Sequence, residues 1–303
     1  MAFFMTRRTY NAAKKKFTNN LAALTRPVML NIRSGGGYEG GIISETDWLD
    51  HVMHRANGKG VVVYIHGFNT SQHSMLQRHG LIKEGLRNAG FEGVVVAFDW
   101  PSQGIVTAYD PDLAMAKAVA PFLPAMLQLL VGRLGSQPLH LLCHSMGCYL
   151  TLRALRGVGE HATLPSVRLD QVIFAAGDMD AEQLRRGAGA ALVMAHRCTR
   201  LTNYHSTADR VLSLSGIING GRQRVGHIGM PDLIEDNAVD LYTTAQFRKY
   251  VPTADQSDYM ISHNWYYSDD GFFRDAALTL AGTPEAAMPT RRATNTVDRA
   301  LLT

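Results

Sequence analysis

Three cysteines, Cys143, Cys148 and Cys198, are too few for a disulfide framework in 303 residues and suit a reducing compartment. No uninterrupted apolar run of about 18 residues occurs, so no membrane span is expected. Met1 to Leu24 lacks the unbroken apolar core of a secretory signal, because Arg7 and Arg8 interrupt it early; the cytoplasm is the expected location. Internal repeats are missing. Acids are absent from Met1 to Arg33, which carries seven basic residues. The formal charge is +4, so the remainder sits at −3 and the body is not basic. A nucleic-acid partner, which needs a basic face on the folded body, loses its support. Residues 1–27 read as a basic N-terminal arm, a solvated tail that could at most touch an anionic surface weakly.

What is present is a large reserve of apolar residues, 46% of the chain against 18% charged. That is enough for one α/β domain, read as residues 28–282, with a polar C-terminal tail over 283–303. Val28 to Arg33 predicts a first strand ended by Gly35, Gly36 and Gly37. Gly60 to Ile65, Gly93 to Phe98, Gln171 to Ala176 and Thr199 to Tyr204 are short, mostly β-branched or apolar runs, as buried parallel strands are. Ala238 to Thr243 predicts the last strand. Helices are expected over Ser71 to Ala89, over Thr107 to Leu134 with Pro121 and Pro124 kinking or dividing it, and over Asp270 to Leu280. His51 and His54 lie three apart but have no further ligand types around them, so they read as surface histidines and no metal is expected.

One stretch organises the rest. The apolar run Leu139 to Cys143 stops at His144-Ser145-Met146-Gly147, and a helical pattern starts at once with Tyr149. A strand turning sharply into a helix with serine at the apex is a nucleophile elbow, which lifts the hydroxyl above the sheet and aims a helix N-terminus at it. Two other S-x-G triplets exist. Ser34 leads into no helix, and Ser102 has bulky Trp100 where a small residue is required. Around Ser145 the corresponding places hold Cys143 and Gly147, both small.

A serine needs a base, and the base needs an acid. Among twelve histidines, His263 follows the last predicted strand in a segment that can reach back over the elbow, while His66 and His144 belong to the turns themselves. Two turns at the same sheet edge offer acids: Asp209 is favoured, and Asp178 is the alternative and otherwise a loop brace. The run His66-Gly67-Phe68-Asn69 ends a strand, and its glycine allows backbone to come close to a reacting carbonyl. The N–H groups of Phe68 and Met146 are therefore the expected oxyanion donors. Trp100 and Trp265 are candidate pocket walls. Only about 20 residues, Ala181 to Arg197, separate two strands where a lid domain is often inserted, so an open site without a large lid is expected.

Six motifs in this order, Tyr64-Ile-His-Gly-Phe-Asn69, Phe98-Asp-Trp-Pro-Ser102, His144-Ser-Met-Gly147, Ala176-Gly-Asp178, Ser206-Thr-Ala-Asp209 and His263-Asn-Trp-Tyr-Tyr267, resemble the α/β-hydrolase superfamily. Within it the chain looks like a bacterial branch of largely uncharacterised proteins, and the likeness runs from about Val28 to Leu280. The resemblance implies a mostly parallel central sheet flanked by helices, with Ser145 as nucleophile, Asp209 as acid and His263 as base. Cys143 departs from the first glycine of G-x-S-x-G. The function expected is cofactor-independent hydrolysis of short- or medium-chain carboxylic esters through an acyl-enzyme. The rivals are a triad enzyme acting on thioesters, amides or lactones or transferring acyl groups, and a non-catalytic binding module on the same fold. The expected partner is a small-molecule ester.

Overall fold

The computed structural model describes residues 1–14, 16–32, 38–105, 107–160, 167–294 and 299–301. Gly35 to Gly37, expected to end the first strand, and Ser34 lie outside them. Among the described residues eleven strands form one sheet: β1 (Ala2–Asn11), β2 (Lys16–Ile32), β3 (Tyr38–Ile42), β4 (Val61–Ile65), β5 (Val94–Asp99), β6 (Leu139–His144), β7 (Leu169–Ala175), β8 (Cys198–His205), β9 (Ala238–Tyr242), β10 (Arg291–Ala293) and β11 (Arg299–Leu301). Their order is β10-β11-β9-β8-β7-β6-β4-β5-β1-β2-β3. All neighbours from β11 to β1 run parallel, and only β10, β2 and β3 are antiparallel to theirs.

The central strands are buried on both faces because helices cover both. Successive side chains of a strand point to opposite sides. Val61, Val63 and Ile65 of β4 therefore join one apolar layer, with Trp48 and Val52 of the helix Glu45–Ala56 and Leu127 and Leu130 of the helix Leu123–Leu134. Val62 and Tyr64 join the other, with Ile82 and Leu86 of the helix Gln72–Asn88 and Phe272 and Phe273 of the helix Asp270–Leu280. Each large apolar side chain so buried contributes about 1.5–3 kcal/mol. The region 109–134 breaks where expected, with Pro121 in a short 3₁₀ turn, Ala120–Phe122, between two helices. By length and composition this 26-residue stretch is apolar enough to cross a membrane, although Asp110, Asp112, Lys117, Gln128 and Arg133 interrupt its apolar run. Here Ala116, Val119, Leu123 and Leu127 pack it against the sheet.

Both ends of the chain differ from expectation. The described residues of 1–27 form no solvated arm: β1 lies inside the sheet, parallel to β5 and antiparallel to β2, with Ala2 to Arg8 buried. The apolar Ala2-Phe-Phe-Met5 fills both layers, and the two arginines that suggested a tail are accommodated individually. Arg7 lies over the Phe122 ring at 3.6 Å, and Arg8 pairs with Asp99 at 2.8 Å. The polar tail likewise supplies β10 and β11, so β9 is not the last strand; Arg291 is drawn inward by the buried Asp275. Between β7 and β8 the chain makes only a short 3₁₀ turn, Ala181–Leu184, and the helix Gly189–Arg197.

Candidate active site

The sharp turn after β6 carries Ser145 at φ +56°, a left-handed conformation that costs a non-glycine residue roughly 1–2 kcal/mol. Hydrogen bonds hold it there: the Ser145 N–H donates to Ala175 O at 3.0 Å, and its carbonyl accepts from Cys148 N–H at 3.0 Å and Asp178 N–H at 3.1 Å. The helix Met146–Glu160 starts at the next residue. Gly147 is required because a Cβ there would lie 2.4 Å from Ile65 O and 2.6 Å from His66 O. Cys143, the departure from the glycine pattern, fits under the turn with its Sγ 3.2 Å from Thr151 Oγ1, and burial pushes its thiol up to about 12.

Asp209 ends the turn after β8 and caps the helix Arg210–Ile218, its Oδ1 accepting the Leu212 N–H at 2.9 Å. Its other oxygen, Oδ2, lies 2.7 Å from His263 Nδ1. His263 sits in the helix Tyr259–Asn264, which is tied to Asp209's helix by Arg210 N–H donating to Ser262 Oγ at 3.2 Å. The His263 ring is brought to the elbow: its centroid is 4.7 Å from that of His144, whose Nε2–H donates to His263 O at 3.0 Å. Burial, reinforced by the His263 ring beside it, pushes the pKa of His144 well below the ordinary histidine value, so His144 is a neutral support. The structure thus brings Ser145, His263 and Asp209 to one end of the sheet.

Asp178, the alternative acid, is there too but engaged elsewhere. Its oxygens accept from Ser215 Oγ at 2.6 Å and Tyr109 Oη at 2.9 Å, and pair with Arg224 Nε at 3.0 Å. It braces loops. Trp100 and Trp265, expected as pocket walls, are instead interior, at 0% and 3% exposure. Trp265 packs against Phe247 and Tyr266, and Trp100 lies flat on His66, 5.1 Å between centroids, with Nε1–H donating to His66 O at 2.8 Å. Ser145 itself is only 2% exposed. Even without a large lid, Gly67 packs directly on it.

That packing defines the loop after β4. A Cβ at Gly67 would lie 2.6 Å from Ser145 Cβ and 3.2 Å from its Oγ. The Trp100 N–H donates to His66 Nε2 at 3.2 Å, so the ring proton is on Nδ1, which donates to Gly67 O at 2.9 Å. Burial pushes the pKa of His66 down despite Asp99 at 3.3 Å, and the ring is neutral. The Gly67 carbonyl belongs to the same planar peptide as the Phe68 N–H, so this bond fixes where that N–H points. Among the described residues neither Phe68 N–H nor Met146 N–H donates a hydrogen bond.

Four contributors were not legible beforehand. Asp112, fully buried, accepts the Asn69 N–H at 3.1 Å, the Gln103 N–H at 2.8 Å and the Ser102 hydroxyl at 2.5 Å. Tyr109 lays its ring against Phe68, 5.5 Å between centroids, while its hydroxyl reaches Asp178. Arg224 completes that cluster, and Arg8 reaches the same loops from β1. Only an acid in the first turn of an apolar helix and an arginine directly behind an apolar run signalled two of them. No group of three or more metal-ligating side chains occurs among the described residues.

Residues 42–269 match the model of a family described as "Alpha/beta hydrolase of unknown function (DUF900)". Among curated proteins no relative matches. Solved structures similar to the chain include lipase B of Aspergillus fumigatus, at 16% identity and a TM-score of 0.34 over 55% of this chain; the chain spans 42% of that lipase. A predicted CIB-like hydrolase from Thermoplasma acidophilum is 14% identical, with a TM-score of 0.37, over 84% of this chain and 99% of that one. An esterase/lipase from an uncultured bacterium is 12% identical, with a TM-score of 0.32, over 84% and 71%. At these scores the structures add nothing to the family match.

Proposed function

The chain belongs to the α/β-hydrolase family of unknown function that its residues 42–269 match, and from that premise we propose that it is a serine hydrolase of short- or medium-chain carboxylic esters. The observation that carries the reading is the 2.7 Å contact between Asp209 Oδ2 and His263 Nδ1 beside a serine held at φ +56°. With Nδ1–H donated to the carboxylate, His263 Nε2 is left as the base. It takes the Ser145 hydroxyl proton as Oγ attacks the ester carbonyl, and the new tetrahedral oxygen accepts from the Phe68 and Met146 N–H groups. His263 returns the proton to the departing alcohol, leaving an acyl-enzyme. Water then gives its proton to His263 and its hydroxyl to the acyl carbon, and Ser145 leaves with the proton. No cofactor enters the cycle. Two helices flank the pair and expose Leu214, Ile217 and Ile218 on one and Tyr259, Met260 and Ile261 on the other. Their apolar surface supports an acyl chain as the group recognised.

The test is labelling with a fluorophosphonate probe together with initial rates on p-nitrophenyl butyrate. Wild type is expected to label and to turn over the ester, and Ser145→Ala to do neither. Equal labelling of both, or an inactive wild type, overturns the proposal. Faster turnover of anilides or thioesters than of every ester overturns the substrate class alone.

A further inference from the structure

The N-terminal strand reaches the candidate site through one side chain. In register, Thr6 of β1 lies opposite Asp99 of β5 in a parallel pair, so Arg8 stands just past it, at the sheet edge where Ser145 turns. Arg8 is fully buried, and its guanidinium is spent in three directions. Nε–H meets Asp99 Oδ1 at 2.8 Å; Nη1 donates to Asn19 Oδ1 and to Ser102 O at 3.2 Å; Nη2 donates to Thr70 O at 2.9 Å. Thr70 lies two residues beyond Phe68 and its hydroxyl donates to Phe68 O at 3.1 Å. The loop 66–70 is therefore gripped from two sides. Arg8 takes carbonyls of this loop and of the loop after β5, and Asp112 takes their N–H groups, at Asn69 and Gln103.

A buried ion pair is poor value as a stabiliser, because the cost of desolvating both charges offsets their attraction. What a guanidinium does that an apolar side chain cannot is hold several oxygens in a fixed planar fork. We propose that Arg8 is a positioning residue, holding the Thr70 and Ser102 carbonyls so that the Phe68 N–H meets the tetrahedral oxygen. This rests on the hydrolase reading above and extends it to a residue outside the matched span 42–269.

Two variants test it. Arg8→Lys keeps the charge facing Asp99 but cannot reach both carbonyls, and Arg8→Met/Asp99→Asn removes both charges together and leaves none buried alone. Each is assayed for kcat and KM on p-nitrophenyl butyrate and for the inhibition constant of a trifluoromethyl ketone, whose adduct with Ser145 places a negative oxygen at the donors. The expected result is kcat lower by about 10- to 100-fold, KM within about 2-fold, and ketone inhibition weakened by a factor matching the loss in kcat. A structural role alone would leave ketone binding in the folded fraction intact. Unchanged kcat in both variants, or a lower kcat with unchanged ketone affinity, overturns the role of Arg8 while the hydrolase reading stands. A wild type that neither labels nor hydrolyses overturns both.

Discussion

Substituting Gly67 by alanine isolates the contribution of the loop from that of the serine. Gly67 does not have a positive φ, so alanine meets no backbone penalty there, and the whole effect is steric. The new methyl would sit 2.6 Å from Ser145 Cβ and 3.0 Å from His144 O, where ordinary contact begins at 3.4 Å. Both are rigid parts of the elbow, so the loop must retreat by about 0.8 Å, the difference between 3.4 and 2.6 Å. Oxyanion hydrogen bonds of about 2.7–3.1 Å do not survive such a displacement, and losing one donor lowers kcat by about 10²–10³-fold. Overpacking costs about 1–3 kcal/mol of stability, which a thermal melt measures separately. Gly80→Ala is the control: it lies inside the helix Gln72–Asn88 with nothing within 4 Å of its Cβ position, and should keep wild-type kcat while gaining about 0.5–1 kcal/mol. The assay is steady-state hydrolysis of p-nitrophenyl butyrate at 25 °C. A folded Gly67→Ala protein with kcat within about 3-fold of wild type would refute the assignment of the Phe68 N–H as a donor.

Asp209 does two jobs with two oxygens, and two substitutions separate them. Asparagine keeps the Oδ1 cap on Leu212 N–H and should melt like wild type while kcat falls by about 10³–10⁴-fold; alanine should lose the same activity and about 1 kcal/mol of stability besides. If Asn and Ala melt alike, the capping role is wrong. Burial pushes His79 and His140 down to about 4, against the pull of Val95 O on the first and of Asp170 on the second. Their folded pKa values lie below the unfolded one, so the unfolded chain binds more protons below about pH 6.5 and stability falls as pH drops from there towards 4, by about 1.4 kcal/mol per pH unit for each ring. Urea midpoints should therefore drop between pH 7 and pH 5, less so in His79→Gln; equal wild-type midpoints would exclude these two rings as the cause.

The elbow at Ser145 and the loop at Gly67 were legible because each is written locally. A β-branched run ending in a small-residue turn needs only its neighbours to be understood. The choice of Asp209 over Asp178 was legible only as a preference, since both close strands at the same edge. What separates them is Tyr109, Ser215 and Arg224 converging on Asp178 from three distant segments. The N-terminal strand was misread for the same reason. Arg7 and Arg8 look like solvent-seeking charges until Phe122 and Asp99 are known to lie beside them. Trp100 could not be told from a pocket wall because its partner, His66, belongs to another strand's turn.

The pairing of Arg8 with Asp99 also bears on how the chain reaches its native state. β1, β2 and β3 form an antiparallel meander that needs only local contacts, yet the cation buried at its edge meets its counter-ion 91 residues later. Until β5 is in place the meander holds a guanidinium it cannot bury, and until β1 docks the turns after β4 and β5 have no clamp on their carbonyls. Docking of β1 on β5 and ordering of the loop beside Ser145 are thereby expected to be one cooperative step. Native-state hydrogen exchange should show it as a shared opening free energy for the β1–β5 ladder and the Thr70 amide, and clearly separate values for the two would dissolve the coupling.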